Sequence, residues 1–268
     1  MDPNDLYTEK ENFLVVLDSR NATDYYNGDY HSSLHFDFNE PIKIPKYAIR
    51  MTCSVLHFQA PNSLYNINEN NNTLYITINA IKTTYTLTKG NYNCNTFLTY
   101  LLSILPSGFT MTFNNITNKY TLTYSSPFTI SGTCGEIMGF DSFAFSSGNT
   151  LIMPYTCNFN GKQSFNIHLT NVITKNFDSY TKSPSNIIQS IPIDPTSASI
   201  NYVKNADFNF VINQEMIDDM TIELKDDQNN YINFNNCHWN LTLYFSVIKD
   251  IERFSYLNTF QNILNYDQ

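Results

Sequence analysis

Charge and glycine are both scarce in this sequence of 268 residues, and each scarcity excludes a class of protein. Charged residues make up 15% of the chain, against about 25% in an average globular protein. The balance is acidic, with 24 Asp and Glu against 15 Lys and Arg, and there is no basic cluster. Binding to nucleic acid is therefore not expected, because neutralising phosphates requires a basic face. The 8 glycines form no G-x-G-x-x-G or G-x-x-x-x-G-K loop, so the usual cradles for nucleotide phosphates are missing.

Cysteines are few, and long apolar runs are missing. The five cysteines stand at positions 53, 94, 134, 157 and 237, without a C-x-x-C pair. This odd, unpaired set predicts reduced, mostly buried thiols rather than a disulfide framework or a zinc site. Cys94 and Cys134 are the one pair to check, because they fall in the same region. No apolar run approaches the roughly 18 residues of a membrane helix, and the acidic start Met1–Asp5 does not resemble a secretory leader. The sequence thus predicts no membrane span and synthesis in the cytoplasm.

Aromatic residues, by contrast, are abundant. The chain holds 20 Phe and 19 Tyr, and Asn, Thr and Ser take the place of the missing charge. Aromatic and β-branched side chains fit the half-buried surface of a sheet, whereas Asn favours turns because it tolerates left-handed backbone angles. The composition therefore predicts an all-β protein with many strands joined by many turns.

Apolar alternation and short apolar runs predict eight strands outside the middle of the chain. They span 13–17, 33–38, 47–58, 164–173, 187–193, 207–212, 219–225 and 238–248. Eight is the strand number of a jelly roll, in which two sheets pack together. We therefore predict a single eight-stranded jelly-roll sandwich made of residues 1–60 and 150–268. Two tandem domains are the alternative, but neither half would hold enough strands for a sandwich.

Residues 61–149 have a different pattern and are predicted to be an inserted small α+β subdomain. One helix is expected from a single apolar stripe formed by Phe97, Leu98, Leu101, Leu102 and Leu105. Asn93 or Asn95 could cap its start, and Pro106 would end it. Strands are predicted at 74–79, 83–88, 109–113, 120–124 and 128–130. Such an insertion is tolerable because the entropy cost of a loop grows only logarithmically with its length.

The five histidines do not form a recognisable catalytic pattern. His31 and His35 would share a face only on a helix, but His35 lies in a predicted strand, so surface or turn positions are expected for both. His57, His168 and His238 are isolated residues in strands or at strand edges. Any of them could in principle join a Ser and an Asp in a triad. However, the G-x-S-x-G elbow that presents such a serine is missing.

The acidic residues do not indicate a reaction either. Asp218-Asp219 and Asp226-Asp227 are adjacent pairs, predicted in turns, so the members of each pair point apart and cannot share a glycosidase cleft. Glu69, Glu136 and Glu223 are scattered. The oxygen-rich turn Asp226–Asn230 could bind calcium, but it lacks the spaced D-x-D-x-D-G pattern, so a solvated turn is favoured.

We accordingly predict no catalytic, cofactor-binding or metal-binding residues, no cofactor, and a protein that is not an enzyme. Outward aromatic residues such as Tyr244 keep one rival class open. They could stack on sugars, as in a lectin-like module.

Several stretches of the chain carry a family resemblance. Leu17–Asn21 precedes a Tyr-rich loop, Phe36–Tyr47 leads into a long strand, and Pro61–Asn72 is Asn-rich. Leu87–Asn93 introduces the predicted helix, and Ile137–Phe140 closes the region. Over residues 13–79 and 88–140, more than half its length, the sequence resembles the vertex (penton) and minor capsid proteins of virophages, polinton-like elements and large double-stranded DNA viruses.

This resemblance implies a structural virion protein with a single jelly roll and an insertion domain. It further implies a homopentamer at the fivefold vertices of an icosahedral capsid, in contact with a double-jelly-roll major capsid protein and assembled in the host cytoplasm. A minor capsid or cement protein of the same ancestry, or a carbohydrate-binding viral spike module, are the alternatives. Residues 1–11 and 250–268 fall outside the alternating pattern, with a terminal amphipathic turn or helix around Ile251–Phe260, and are expected to act as ordering arms.

Overall fold

The structure, a computed structural model, describes residues 8–43, 48–141, 146–170, 176–178, 180–204, 209–212 and 216–250. The chain divides into two compact units. One is discontinuous and consists of Met1–Ser63 together with Gln163–Gln268; we call it the split unit. The other, Leu64–Lys162, is the continuous unit.

Strands dominate both units, and they are numbered in chain order. The first part of the split unit holds β1 (Thr8–Asp18), β2 (Asp24–Tyr25), β3 (Ser33–Lys43) and β4 (Ala48–Pro61). The continuous unit holds β5 (Thr73–Ile78), β6 (Ile81–Thr86), helix α1 (Cys94–Ile104), β7 (Thr110–Asn114), β8 (Lys119–Ser131), helix α2 (Gly135–Met138) and β9 (Ser146–Ile152). The second part of the split unit holds β10 (Ser164–Leu169), β11 (Asn176–Asp178), β12 (Ser183–Ser185), β13 (Ile187–Pro192), β14 (Ser199–Val203), β15 (Phe210–Ile212), β16 (Met216–Lys225) and β17 (Asn240–Asp250).

Two five-stranded sheets make up most of the split unit. The first has the order β1-β17-β4-β14, with β15 also pairing with β4, and the second has the order β13-β10-β16-β3-β2. Strands β11 and β12 form a separate pair. Every pairing among the described residues is antiparallel, and β1 runs beside β17 in unbroken register from Thr8↔Asp250 to Asp18↔Asn240. Residues from the two ends of the described chain thus complete one sheet.

The core of the split unit lies between these two sheets. Along β17, Leu241, Leu243, Phe245 and Val247 are buried, while the residues between them are half-buried, as a period of two requires. Phe58 of the first sheet meets Phe165 of the second edge to face, with ring centroids 5.3 Å apart. Because side chains of both sheets interdigitate in this way, the split unit is a β-sandwich.

The continuous unit packs one helix and a short second helix on a five-stranded sheet of order β6-β5-β8-β7, in which β9 also pairs with β8. Helix α1 begins at a capping box, in which the Asn93 side chain accepts from the backbone N–H groups of Asn95 and Thr96. The Thr96 hydroxyl in turn accepts from the Asn93 N–H. The helix buries Phe97 and Leu101 in the core of the unit. Neither helix in the described part of the chain could cross a membrane.

The all-β prediction agrees with this architecture, and each of the eight predicted outer strands overlaps an observed one. The split unit contains more strands than predicted, however, because β2, β11, β12 and β14 were not foreseen. Strand β14 buries only Ile200 fully, so its apolar signal is weak. In the continuous unit, the predicted strands 120–124 and 128–130 are one strand, β8, interrupted by a register shift between Thr123 and Phe128.

Two expectations about the chain ends have different outcomes. The predicted N-terminal arm, residues 1–11, is too long, because Thr8–Glu11 belong to β1 and pair with β17. The predicted terminal turn or helix around Ile251–Phe260 lies outside the described residues.

Candidate functional site

A buried polar cluster lies in the split unit, where the turn after β1 meets the segment before β17. The Ser19 hydroxyl is 3.2 Å from Nδ1 of His238. Nδ1 of His238 is in turn 3.1 Å from Nδ1 of His31. If both Nδ1 atoms carried a proton, two N–H groups would point at each other. One ring therefore donates the hydrogen bond and the other accepts it. We call Ser19, His31, His238 and their neighbour Trp239 the histidine cluster.

Backbone hydrogen bonds hold the histidine cluster in place. Ser19 and Trp239 exchange two bonds of 2.9 Å: the Trp239 N–H donates to the Ser19 hydroxyl, and the Ser19 N–H donates to the Trp239 carbonyl. The indole N–H of Trp239 donates to the His31 carbonyl at 2.6 Å. His31 itself has a left-handed backbone with φ of 54° at the end of a 3₁₀ turn, Gly28–Tyr30. These hydrogen bonds therefore join three segments that are distant in sequence: the turn after β1, the 3₁₀ turn that ends at His31, and the segment before β17.

The cluster contains the parts of a serine nucleophile and its base, but not in a usable arrangement. The contact between Ser19 and His238 is at the long end of nucleophile–base distances. Ser19 is completely buried, and its oxygen already accepts the Trp239 N–H. Both carboxylate oxygens of Asp18 are bound by Arg20. The side-chain hydrogen bond from Arg20 lowers the pKa of Asp18. A substrate could not reach the serine, so the cluster fits a structural clamp.

Replacing Ser19 with alanine tests the clamp. We expect the free energy of unfolding to fall by about 1–3 kcal/mol, because the buried Trp239 N–H would lose its acceptor. The free energy of unfolding is measured by urea denaturation, with the fluorescence of Trp239, the only tryptophan in the chain, as the signal. The control is Ser190→Ala, an exposed serine of β13, which should change stability by less than about 0.5 kcal/mol. Equal effects of the two substitutions would contradict the clamp.

The structure brings two of the five histidines, His31 and His238, into the cluster. The other three lie on strands. His31 lies at the end of a turn, one of the two predicted alternatives, but it is buried instead of exposed, because its carbonyl and its ring are both used inside the cluster. His35 lies in β3 as predicted, with Nδ1 2.9 Å from the Thr221 hydroxyl and Nε2 3.1 Å from Asp37. His57 lies in β4, and His168 lies in β10 opposite Glu223.

Of the two acidic pairs, Asp226-Asp227 lies in a turn as predicted, whereas Asp218-Asp219 does not. Asp218 and Asp219 lie within strand β16, not in a turn. Asp226 is buried, and its Oδ1 accepts from the backbone N–H groups of Gln228 and Asn230 at 2.9 and 2.8 Å. It thus organises the turn before Tyr231 instead of facing solvent. Within the described residues, no group of three or more His, Cys, Asp or Glu could hold a metal ion.

The cysteines pair differently from the prediction. All five are free thiols; Cys53 and Cys134 are buried, and the other three are half-buried. The Cys94 sulfur lies 3.5 Å from that of Cys157, not next to Cys134. Cys134 instead contacts the Met138 sulfur at 3.7 Å. Burial raises the pKa of both Cys134 and Cys157 to about 12.

An exposed apolar surface runs along β1, at one end of the first sheet. Its short apolar run predicted a buried strand, yet Leu14 is 54% and Val16 68% exposed. Both lie on the outward face, opposite Tyr244 and Thr242 of β17. Tyr244 is half-buried, with Lys204 Nζ 5.9 Å from its ring centroid. A run of apolar residues cannot by itself distinguish a buried strand from an edge strand with an apolar outer face.

Comparisons with known proteins add a structural similarity. Neither a protein-family model nor a curated protein sequence matches this chain. Among solved structures, one match is the crystal structure of the SeMet-labelled mavirus penton protein, with a TM-score of 0.45 and 10% sequence identity. The match covers 89% of this chain and 100% of that one. At these values the structural similarity is loose.

Proposed function

We propose that this chain is a structural virion protein: a penton protein that assembles as a homopentamer at the fivefold vertices of an icosahedral capsid and contacts a double-jelly-roll major capsid protein. The observation that carries the proposal is the strand order of the split unit. Strands β1, β4, β14 and β17 belong to the first sheet, whereas β3, β10, β13 and β16 belong to the second. The chain therefore crosses repeatedly from one sheet to the other.

This alternation is what a single jelly roll requires. In such a fold, two Greek keys distribute eight strands over two packed antiparallel sheets, so neighbours in a sheet are distant in sequence. Here β17 lies between β1 and β4, and β16 lies between β10 and β3. On this interpretation the continuous unit, predicted from the sequence as residues 61–149, is an insertion between the third and fourth of these eight strands, β4 and β10.

The stretches that resemble vertex and minor capsid proteins lie in both units. Leu17–Asn21 spans the end of β1 and the following 3₁₀ turn, within which Ser19 belongs to the histidine cluster. Leu87–Asn93 contains the residue that caps α1, and Ile137–Phe140 covers the end of α2. Each of these stretches thus has a defined structural task in this chain.

The surface of β1 suits a subunit interface. A ring around a fivefold axis is closed by head-to-tail contacts, so each subunit needs two different complementary surfaces. Among the described strands, β1 lies at the end of its sheet, and an edge strand offers backbone N–H and C=O groups to another chain. Leu14 and Val16 add exposed apolar area at the same place. The small share of charged residues also limits repulsion between five acidic copies.

Replacing Val16 with aspartate tests the interface. We expect pentamer formation to weaken by about ten- to a hundred-fold, because a carboxylate would be buried without a partner. Native mass spectrometry would measure the fraction of pentamer, whose mass is five times the 31.0 kDa of one chain. Incorporation into particles is a second measurement. The matched control is Ile116→Asp in the continuous unit, where the side chain is 94% exposed. If both variants assemble equally well, β1 is not in the interface.

The position in the virion is tested by a particle map. Density for this chain at every fivefold vertex is the expected result. Density only between capsomers would contradict the vertex position and favour the minor capsid or cement alternative.

A further inference from the structure

We propose that Cys94 and Cys157 form a redox-active dithiol, a site in the continuous unit that is reversibly oxidised to a disulfide. This inference does not depend on the capsid role. It rests on the contact between the two sulfurs, on the backbone that holds them, and on their difference from the other three thiols.

The two sulfurs are already in contact. They lie 3.5 Å apart, and a disulfide bond is about 2.04 Å long. An approach of about 1.5 Å is therefore sufficient. Cys94 is the first residue of α1, and Cys157 lies in the irregular segment after β9. Neither backbone is part of a sheet ladder that would resist this adjustment.

The contact is held from one side by strand β8 and the turn before it. The Tyr120 hydroxyl donates to the Cys94 carbonyl at 2.7 Å. The Cys157 N–H donates to the Asn118 carbonyl at 2.8 Å. Residues only two positions apart thus fix both cysteines, although Cys94 and Cys157 are 63 positions apart in sequence. The fold of the unit thus holds the two cysteine backbones beside each other.

The remaining thiols are poorer candidates. Cys53 and Cys134 are completely buried, so a dissolved oxidant cannot reach them. The Cys134 sulfur contacts the sulfur of Met138 and not that of another cysteine. Cys237 is half-buried but belongs to the split unit. Cys94 and Cys157 are the two that combine partial exposure with an adjacent sulfur.

The chemistry is a thiol–disulfide exchange with a small disulfide such as oxidised glutathione. One cysteine thiolate attacks the glutathione disulfide, releases one glutathione thiolate, and forms a mixed disulfide. The second cysteine thiolate then attacks the protein sulfur of that bond, closes the Cys94–Cys157 bond, and releases the second glutathione. Two thiol protons pass to the two departing thiolates, and two electrons reduce the oxidant. Burial is the largest cause and the hydrogen bond between the Cys157 thiol and the Cys94 sulfur is the next, and together they raise the pKa of Cys157 to about 12. Because the thiolate is the attacking form, the closing reaction should accelerate with rising pH.

The test uses the full chain, incubated with oxidised glutathione at mildly alkaline pH. We expect a peptide containing the Cys94–Cys157 bond in a non-reducing digest, and a melting temperature about 5 °C or more above that of the reduced protein. Reduction with dithiothreitol should reverse both changes. Cys94→Ser and Cys157→Ser should each lose the melting shift and retain one glutathione on the remaining thiol. Cys237→Ser should oxidise like the parent chain.

Two results would overturn the proposal. One is a non-reducing digest without the Cys94–Cys157 peptide after complete incubation. The other is a melting shift of equal size in the parent chain and in both single-serine variants.

Discussion

Replacing Trp239 with alanine should lower the free energy of unfolding by about 3–5 kcal/mol, the cost of truncating a large buried aromatic side chain. Trp239 is completely buried in the sandwich. Its ring lies 5.9 Å from that of Phe58 and 6.2 Å from that of Phe36, between centroids, so it contacts residues of both sheets. The substitution would also leave the His31 carbonyl without its indole donor. Packing and hydrogen bonding are lost together.

Two further variants separate these contributions. Trp239→Phe keeps an aromatic ring but removes the indole N–H, and should cost about 1–3 kcal/mol. Val203→Ala serves as the control: it removes an exposed side chain from β14 in the first sheet and should change stability by less than about 0.5 kcal/mol. Far-ultraviolet circular dichroism in urea is the suitable measurement, because the Trp239 variants have no tryptophan left to observe. A loss below about 1 kcal/mol for Trp239→Ala would show that the ring does not organise the core.

Replacing Gly132 with alanine should destabilise the continuous unit by about 2–5 kcal/mol, through backbone strain and steric overlap. Gly132 follows β8 and has a φ of 141°, a conformation that side chains rarely adopt. A Cβ atom there would lie 2.2 Å from the Thr73 carbonyl oxygen. That carbonyl also accepts the Cys134 N–H, so it cannot move away without breaking a hydrogen bond.

Gly90→Ala is the matched control in the same unit. A Cβ at Gly90 would meet only the Tyr92 side chain, at 3.4 Å, which is ordinary contact, so we expect a change below about 1 kcal/mol. Hydrogen exchange of peptides from Leu64–Lys162 reports on this unit separately from the rest of the chain. Faster exchange throughout these peptides is expected in Gly132→Ala alone. Similar exchange in the two variants would contradict the close approach at Gly132.

The parts of the fold that could be predicted are those with a local signal. Strand β17 has one buried face, so its alternation is visible in the sequence, and α1 combines an apolar stripe with a capping asparagine at Asn93. Strand β14 was missed because only Ile200 is fully buried. Strand β1 was recognised as a strand, but its exposed face was not, because a continuous apolar run carries no information about which side is covered.

The histidine cluster and the dithiol could not be predicted for a different reason. Ser19 and His238 are 219 positions apart, and Cys94 and Cys157 are 63 apart. No periodicity connects residues at such separations; only the pairing of β1 with β17, and the hydrogen bonds around β8, bring them together. Asp226 was assigned to a solvated turn because its type and neighbours favour one, whereas the fold buries its carboxylate.

The pairing of β1 with β17 has a consequence for biosynthesis. Its eleven registered residue pairs join segments that leave the ribosome more than two hundred residues apart. While the nascent chain grows, β1 has no partner in its own sheet, and β4 also lacks the strand that lies between them. The continuous unit is complete much earlier, because its contacts fall within Leu64–Lys162. We therefore expect that unit to fold during translation, while the sandwich closes only after β17 has been released, as a slow step dominated by distant contacts.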